Sequence, residues 1–125
     1  MRAALALVAT LACTTAALAQ RGDVASELAG RTPGPPAQCV ELDRVTGPLI
    51  YDPATVLYRQ SGARIWRMTP QDACPALRQG AHLILFNTGR RLCAADRFNV
   101  LPPGSAIASG HCRVGDLTSY DKVPR

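Results

Sequence analysis

The 125-residue sequence predicts a small all-β domain, mainly antiparallel, built as a disulfide-stabilised sheet or partial barrel with one short helical turn. Three observations carry that prediction. Between Cys39 and Cys112 the chain is a series of short runs rich in β-branched and aromatic residues, broken by Gly and Pro. One pair of runs, residues 55–60 (TVLYRQ) and 63–68 (ARIWRM), flanks Ser61-Gly62 and reads as a hairpin. Four cysteines share this span, as expected where a core of about 75 residues is marginal without covalent help.

Ahead of that domain stand Arg2, an apolar run over residues 3–13 and Ala17-Leu18-Ala19, the parts of a secretory signal peptide at residues 1–19. The run is too short to span a bilayer as a helix, and no later stretch is apolar enough. Cleavage after Ala19 would start the mature chain at Gln20, in the periplasm or outside the cell. The alternative is a lipoprotein anchored through Cys13, but Thr10 stands where a lipobox places Leu. Cleavage removes Arg2 alone among the charged residues, leaving 13 basic and 9 acidic side chains and a net charge of +4. All the remaining basic residues but Lys122 are Arg. That balance suits anionic surfaces such as lipopolysaccharide or cell-wall polymer, as well as an ordinary solvated surface.

Residues 20–38 (QRGDVASELAGRTPGPPAQ) read as a flexible arm in which residues 23–30 could form two helical turns, because Pro33-Gly34-Pro35-Pro36 cannot continue a helix and the apolar residues are few and small. The β-rich domain is expected over residues 39–118, and residues 119–125 as a frayed tail. Residues 39–43 alternate apolar and polar, as a half-buried strand does. Residues 49–51 are extended, and Asp52-Pro53 turns the chain. A two-residue hairpin loop would set Tyr58 opposite Ile65, Leu57 opposite Trp66, and Arg59 opposite Arg64. That last like-charge pair costs stability unless an anion or a longer loop relieves it. Residues 71–79 around Cys74 are the candidate helical turn, stopped by Gly80. Residues 82–87 (HLILFN) form the most apolar run and are expected as a central strand, with residues 90–93 pairing back on it. Residues 97–101 and 111–114 supply the last strands.

Removing Cys13 with the signal leaves Cys39, Cys74, Cys93 and Cys112, an even number that implies a disulfide framework with three pairings open. Intervals of 34, 18 and 18 residues contain no C-x-x-C, so neither a thioredoxin-type site nor a zinc knuckle is indicated. The preferred pairing is Cys74 with Cys93, tying the helical turn to the following hairpin, and Cys39 with Cys112, joining first and last strands.

The order of these features resembles a family. An exported start and a cysteine strand precede the Tyr58–Trp66 hairpin, followed by Cys74-Pro75-Ala76-Leu77, Leu92-Cys93-Ala94-Ala95-Asp96 and Cys112-Arg113-Val114-Gly115. This resembles the bacterial exported domain-of-unknown-function family 6491 over residues 39–115. That family favours Gly at the position of Ala76 and Leu at that of Val114. The resemblance implies a disulfide-bearing, exported β domain and brings no activity, ligand or catalytic residue.

Candidate chemistry is sparse. His82 and His111 are the only histidines, and no metal site or cofactor is expected. Ser105, Ser109, His111 and Asp116 offer hydrolase residue types without a nucleophile elbow. Asp52, Asp72, Asp96 and Asp116 sit at turns, where aspartate bonds local backbone N–H groups. Arg59, Arg64 and Arg67 crowd the hairpin beside Tyr58 and Trp66 and form a candidate anion-binding face, with Arg90 and Arg91 at another turn. Nucleic acid does not suit an exported chain with so few aromatics. The expected function is therefore a non-enzymatic exported binding or structural module for an envelope component or another exported protein. The alternatives are a small inhibitor of a hydrolase that probes with the Ser61-Gly62 tip, and an enzyme of unrecognised type.

Overall fold

A computed structural model describes residues 22–61, 63–87 and 89–124. The expected signal peptide, the Ala19 cleavage site, Cys13 and Gly62 of the hairpin tip lie outside the described residues. The fold is all-β and mainly antiparallel. Its strands are β1 (Arg31–Ala37), β2 (Cys39–Glu41), β3 (Val45–Asp52), β4 (Thr55–Gln60), β5 (Ile65–Pro70), β6 (His82–Phe86), β7 (Arg91–Cys93), β8 (Arg97–Leu101) and β9 (Ser109–Lys122). One sheet runs β3-β4-β5-β9-β8-β6 with β1 also on β9, and a second consists of β2 and β7. The main sheet curls into a half-barrel.

The curl has a local cause. The long strand β9 pairs with β5 through residues 114–120 and with β8 through residues 109–113. Gly115 sits at the handover. A Cβ there would stand 2.6 Å from the Thr69 carbonyl oxygen and 2.9 Å from the Gln71 nitrogen, so only glycine lets β9 cross the end of β5 so closely. Gln71 N–H then donates to the Arg113 carbonyl (2.9 Å), fixing the crossing.

Inside the curl, cross-strand rows stack apolar side chains. Val56, Met68 and Leu117 form one row across β4, β5 and β9, and all three are fully buried. Phe98 and Val100 of β8, Val40 and Leu92 of the small sheet, and Leu77 of the 71–81 loop complete the core. Tyr58 lies in it with a hydroxyl that has no hydrogen-bond partner among the described residues, and burial pushes its pKa up to about 12. An orphan buried hydroxyl costs free energy. Tyr58→Phe is therefore expected to leave stability unchanged or raise it by about 1 kcal/mol in urea unfolding; a clear loss would mean that the hydroxyl has a partner.

Several sequence expectations are corrected. The helical turns expected within residues 23–30 form as a short helix, α1 (Val24–Leu28), capped by Asp23, whose Oδ1 accepts the Ser26 N–H (2.7 Å), but the rest of the arm is not loose where it is described. Arg31–Ala37 pair with β9. Proline is tolerated there because β1 is an edge strand, where missing N–H groups break no second ladder. Gly34 fits closely against β9, since a Cβ would stand 2.7 Å from Ser119 Oγ and the hydroxyl would have to turn away. The tail is likewise structured through Lys122, because β9 lies between β5 and β1 and Ser119 is buried.

The hairpin loop is one residue longer than expected. Tyr58 faces Trp66, Leu57 faces Arg67 and Arg59 faces Ile65, so the Arg59–Arg64 clash never arises. β7 does not pair back on the apolar strand β6; β8 takes that place and β7 pairs with β2. Around Cys74 there is no helix. Residues 71–81 pass in single turns, closed by Leu77 N–H to the Cys74 carbonyl (3.0 Å) and Ala81 N–H to that of Arg78 (3.1 Å). The short helical turn stands instead at Leu42–Arg44.

The disulfides join Cys39 to Cys93 and Cys74 to Cys112, not the preferred pairing. Because β7 pairs with β2, Cys93 falls directly opposite Cys39. The start of β9 runs past the 71–81 loop, where a Cβ at Gly110 would stand 2.9 Å from that of Ala76, and Cys112 meets Cys74. Two disulfides are compatible with an extracellular or periplasmic protein. No helix among the described residues is long and apolar enough to cross a membrane.

Candidate functional site

The arginines of the hairpin are engaged within the fold. Arg59 Nη2 donates to both carboxylate oxygens of Glu27 (2.7 Å each), presented by α1. The Arg59 hydrogen bond holds the Glu27 carboxyl below its ordinary range. Arg64 makes a forked contact to Asp121 near the end of β9 (2.7 and 2.8 Å) and lies over the Trp66 ring, 5.6 Å from its centroid. Its hydrogen bond keeps the Asp121 carboxyl low in the same way. Arg67 donates to Thr55 Oγ1 (3.3 Å), while its Nε is buried without a partner. Of the anion-binding face expected at Arg59, Arg64 and Arg67, the first two charges are thus met by acids of the same chain, while Arg67 is held by a hydroxyl and partly buried. The two acids come from segments that read as arm and tail, which is why the sequence does not announce them.

A different set of cations remains open. In the β6-β8-β9 part of the sheet, residues directly opposite one another define rows on the outer face. One row runs Phe86, Arg97, Arg113, and the next runs Ile84, Asn99, His111. Phe86 and Ile84 are 56% and 39% exposed, the only large apolar residues of any strand left uncovered among the described residues. His111 Nδ1 lies 2.6 Å from Asn99 Oδ1, which orients the imidazole on the face. Arg113 Nη1 donates to the Ala95 carbonyl (3.2 Å), and no carboxylate among the described residues pairs with it. Among the described residues Arg97 has no side-chain hydrogen bond or ion pair. By contrast Arg59, Arg64, Arg90 and Arg91 each lie within 4 Å of an acid. The face forms a shallow groove of about 410 Å³ lined by Phe86, Arg97, Asn99, His111 and Arg113.

A larger cleft of about 710 Å³ lies between β3 and the start of β6, the two ends of the curled sheet. It is lined by Leu49, Ile50 and Tyr51 on one side, Ala81, His82 and Leu83 on the other, with the Glu27–Arg59 pair at its rim. The two histidines therefore sit at separate places, and among the described residues no aspartate lines either hollow. Asp52 accepts the Ala54 N–H (2.8 Å) and Asp96 the Cys93 N–H (2.8 Å), the local turn role expected of them. Ser105 Oγ is occupied by the backbone of Ile107 (3.1 Å). Among the described residues no three His, Cys, Asp or Glu side chains gather as a metal site would require.

Sequence reasoning placed Arg97 and Arg113 in strands but missed their convergence. The alternation was readable, since Arg97 and Asn99 share one face of β8 and His111 and Arg113 one face of β9. What was not readable was that β8 lies between β6 and β9. Comparison of the chain with family models, curated proteins and solved structures found no match.

Proposed function

We propose that this protein is a non-enzymatic, exported binding module that receives an anionic partner on the outer face of β6, β8 and β9. Export by cleavage after Ala19 to the periplasm or beyond, and kinship with family 6491 through the order of the four cysteines, belong to the same reading. The observation that carries it is the Arg97–Arg113 pair. Two arginines directly opposite on adjacent strands repel, and no acid among the described residues pairs with either. Four other arginines of the same chain have acids at hand. An uncompensated cation pair beside exposed Phe86 costs the folded state stability and is explained by a ligand that supplies the negative charge. A bound carboxylate or phosphate meets both guanidinium groups in their preferred forked geometry.

Calorimetric titration with polygalacturonate and with polyglutamate, at low and at physiological salt, tests this. The Arg97→Gln, Arg113→Gln double variant is expected to bind at least tenfold more weakly while melting no lower than the parent. The charge-matched Arg59→Gln, Arg64→Gln variant should bind nearly as the parent does and melt lower. Equal binding by the two variants would sink the proposal, because net charge alone would then account for the affinity.

A further inference from the structure

We infer that the anionic partner is an extended acidic segment of another protein, added as a strand to the free edge of β6. This rests on the anionic-partner reading above and identifies the partner's class. The main sheet has three edges. β1 carries Pro33, Pro35 and Pro36, which offer no N–H to a newcomer. β3 carries Pro48 and breaks register twice, between Thr46 and Leu49 and between Ile50 and Asp52. Prolines and bulges are the devices that keep sheet edges from pairing with other chains.

β6 has none of them. His82–Phe86 holds no proline, glycine, lysine or acid, and it stays in unbroken register with β8 over all five residues. An edge so regular is a template for strand addition. Beside it the sheet ends at the cleft facing β3, which leaves space along the start of β6. A strand laid there would cover the half-buried Leu83 and Leu85 on the inner face and flank Ile84 and Phe86 on the outer.

Charge decides between occupants. A second copy pairing β6 with β6 would bring no carboxylate and would add its own Arg97 and Arg113 to one continuous face. Strands lie about 4.8 Å apart, so a glutamate on an added strand sits two strands from Arg97. Two long side chains can meet across that span, over Phe86, so Arg97 makes the contact while Arg113, one strand further away, adds to the positive field of the face. An anionic glycan would satisfy the arginines but would leave the β6 backbone unpaired.

The test uses the full mature chain and a Pro-free heptapeptide alternating Glu with Val, blocked at both ends. Two N-methylated isomers of it carry methyl groups on the odd or on the even residues. The parent peptide is expected to slow amide hydrogen exchange within residues 82–86. One N-methylated isomer should lose binding and the other keep it, because alternate N–H groups face the edge. Arg97→Gln, Arg113→Gln should weaken the peptide at least tenfold. If the peptide, polyglutamate and polygalacturonate bind with the same dependence on Arg97 and Arg113 and exchange over 82–86 does not change, strand addition is wrong while the anionic face stands. Loss of every Arg97-dependent interaction removes both. Concentration-dependent dimerisation that protects residues 82–86 without peptide would overturn the proposal in favour of a second copy.

Discussion

Replacing Cys74 and Cys112 together by alanine is expected to lower the thermal unfolding midpoint by roughly 15–30 °C. The disulfide closes a separation of 38 residues, which the chain-entropy relation values at about 4 kcal/mol. Each kcal/mol moves the midpoint of a domain of this size by roughly 4–8 °C. Cys74 is fully buried in the core, so the variant also loses packing there. The Cys39–Cys93 bond spans 54 residues, worth about the same in chain entropy. Yet its cysteines are half-buried, and β2 and β7 keep the buried Val40–Leu92 pair and the Glu41–Arg91 ion pair when it is gone. Melts of the two double-alanine variants should therefore rank Cys74/Cys112 as the costlier loss. The reverse order would show that anchoring the small sheet matters more than filling the core.

Phe98→Ala is expected to cost about 3–5 kcal/mol, the range for truncating a fully buried aromatic. Phe98, the second residue of β8, is fully buried opposite Leu85 of β6 and Cys112 of β9. Its ring thus packs where the half-barrel's two lateral strands meet the second disulfide. Against a net stability of about 5–15 kcal/mol for a small domain, the variant should unfold at markedly lower denaturant. Combined with Cys74→Ala and Cys112→Ala, the losses should not add, because the sites touch through Cys112. Phe86, on the neighbouring strand β6 but on the outer face and 56% exposed, provides the contrast: its truncation should change stability by less than about 0.5 kcal/mol. A large loss at Phe86 would make it a packing residue and remove the apolar half of the proposed face.

Particular residues show where the sequence was legible. The 55–60 and 63–68 runs announced β4 and β5, because period-two alternation with β-branched residues is a local signal. Asp52 and Asp96 could be placed at turns for the same reason, since an aspartate bonding its neighbours' N–H groups needs nothing distant. Pro33 to Pro36 misled, as prolines mark both a linker and an edge strand, and only the partner strand β9 tells them apart. The hairpin register missed by one residue, and that moved Arg59 away from Arg64. Glu27 and Asp121 then turned the expected anion face into two internal ion pairs.

The candidate site followed the same division. Arg97, Asn99, His111 and Arg113 were each on strands foreseen from the chain, but the residue types of three strands say nothing of their order. His82–Phe86 read as a central strand because it is the most apolar run. It proved to be an edge, and its exposed Ile84 and Phe86 are what mark the face.

The sequence by itself determined the all-β class, the short strands and their turns, and the four cysteines that form two bonds. These depend on neighbours within a few residues or on composition. Tertiary structure alone decided strand order, which cysteines meet, which arginines find acids and which edge stays bare. Each of those is a contact between residues tens of positions apart. Such contacts are selected by the shared burial of a core and by the curl at Gly115, and no local pattern in the chain encodes them.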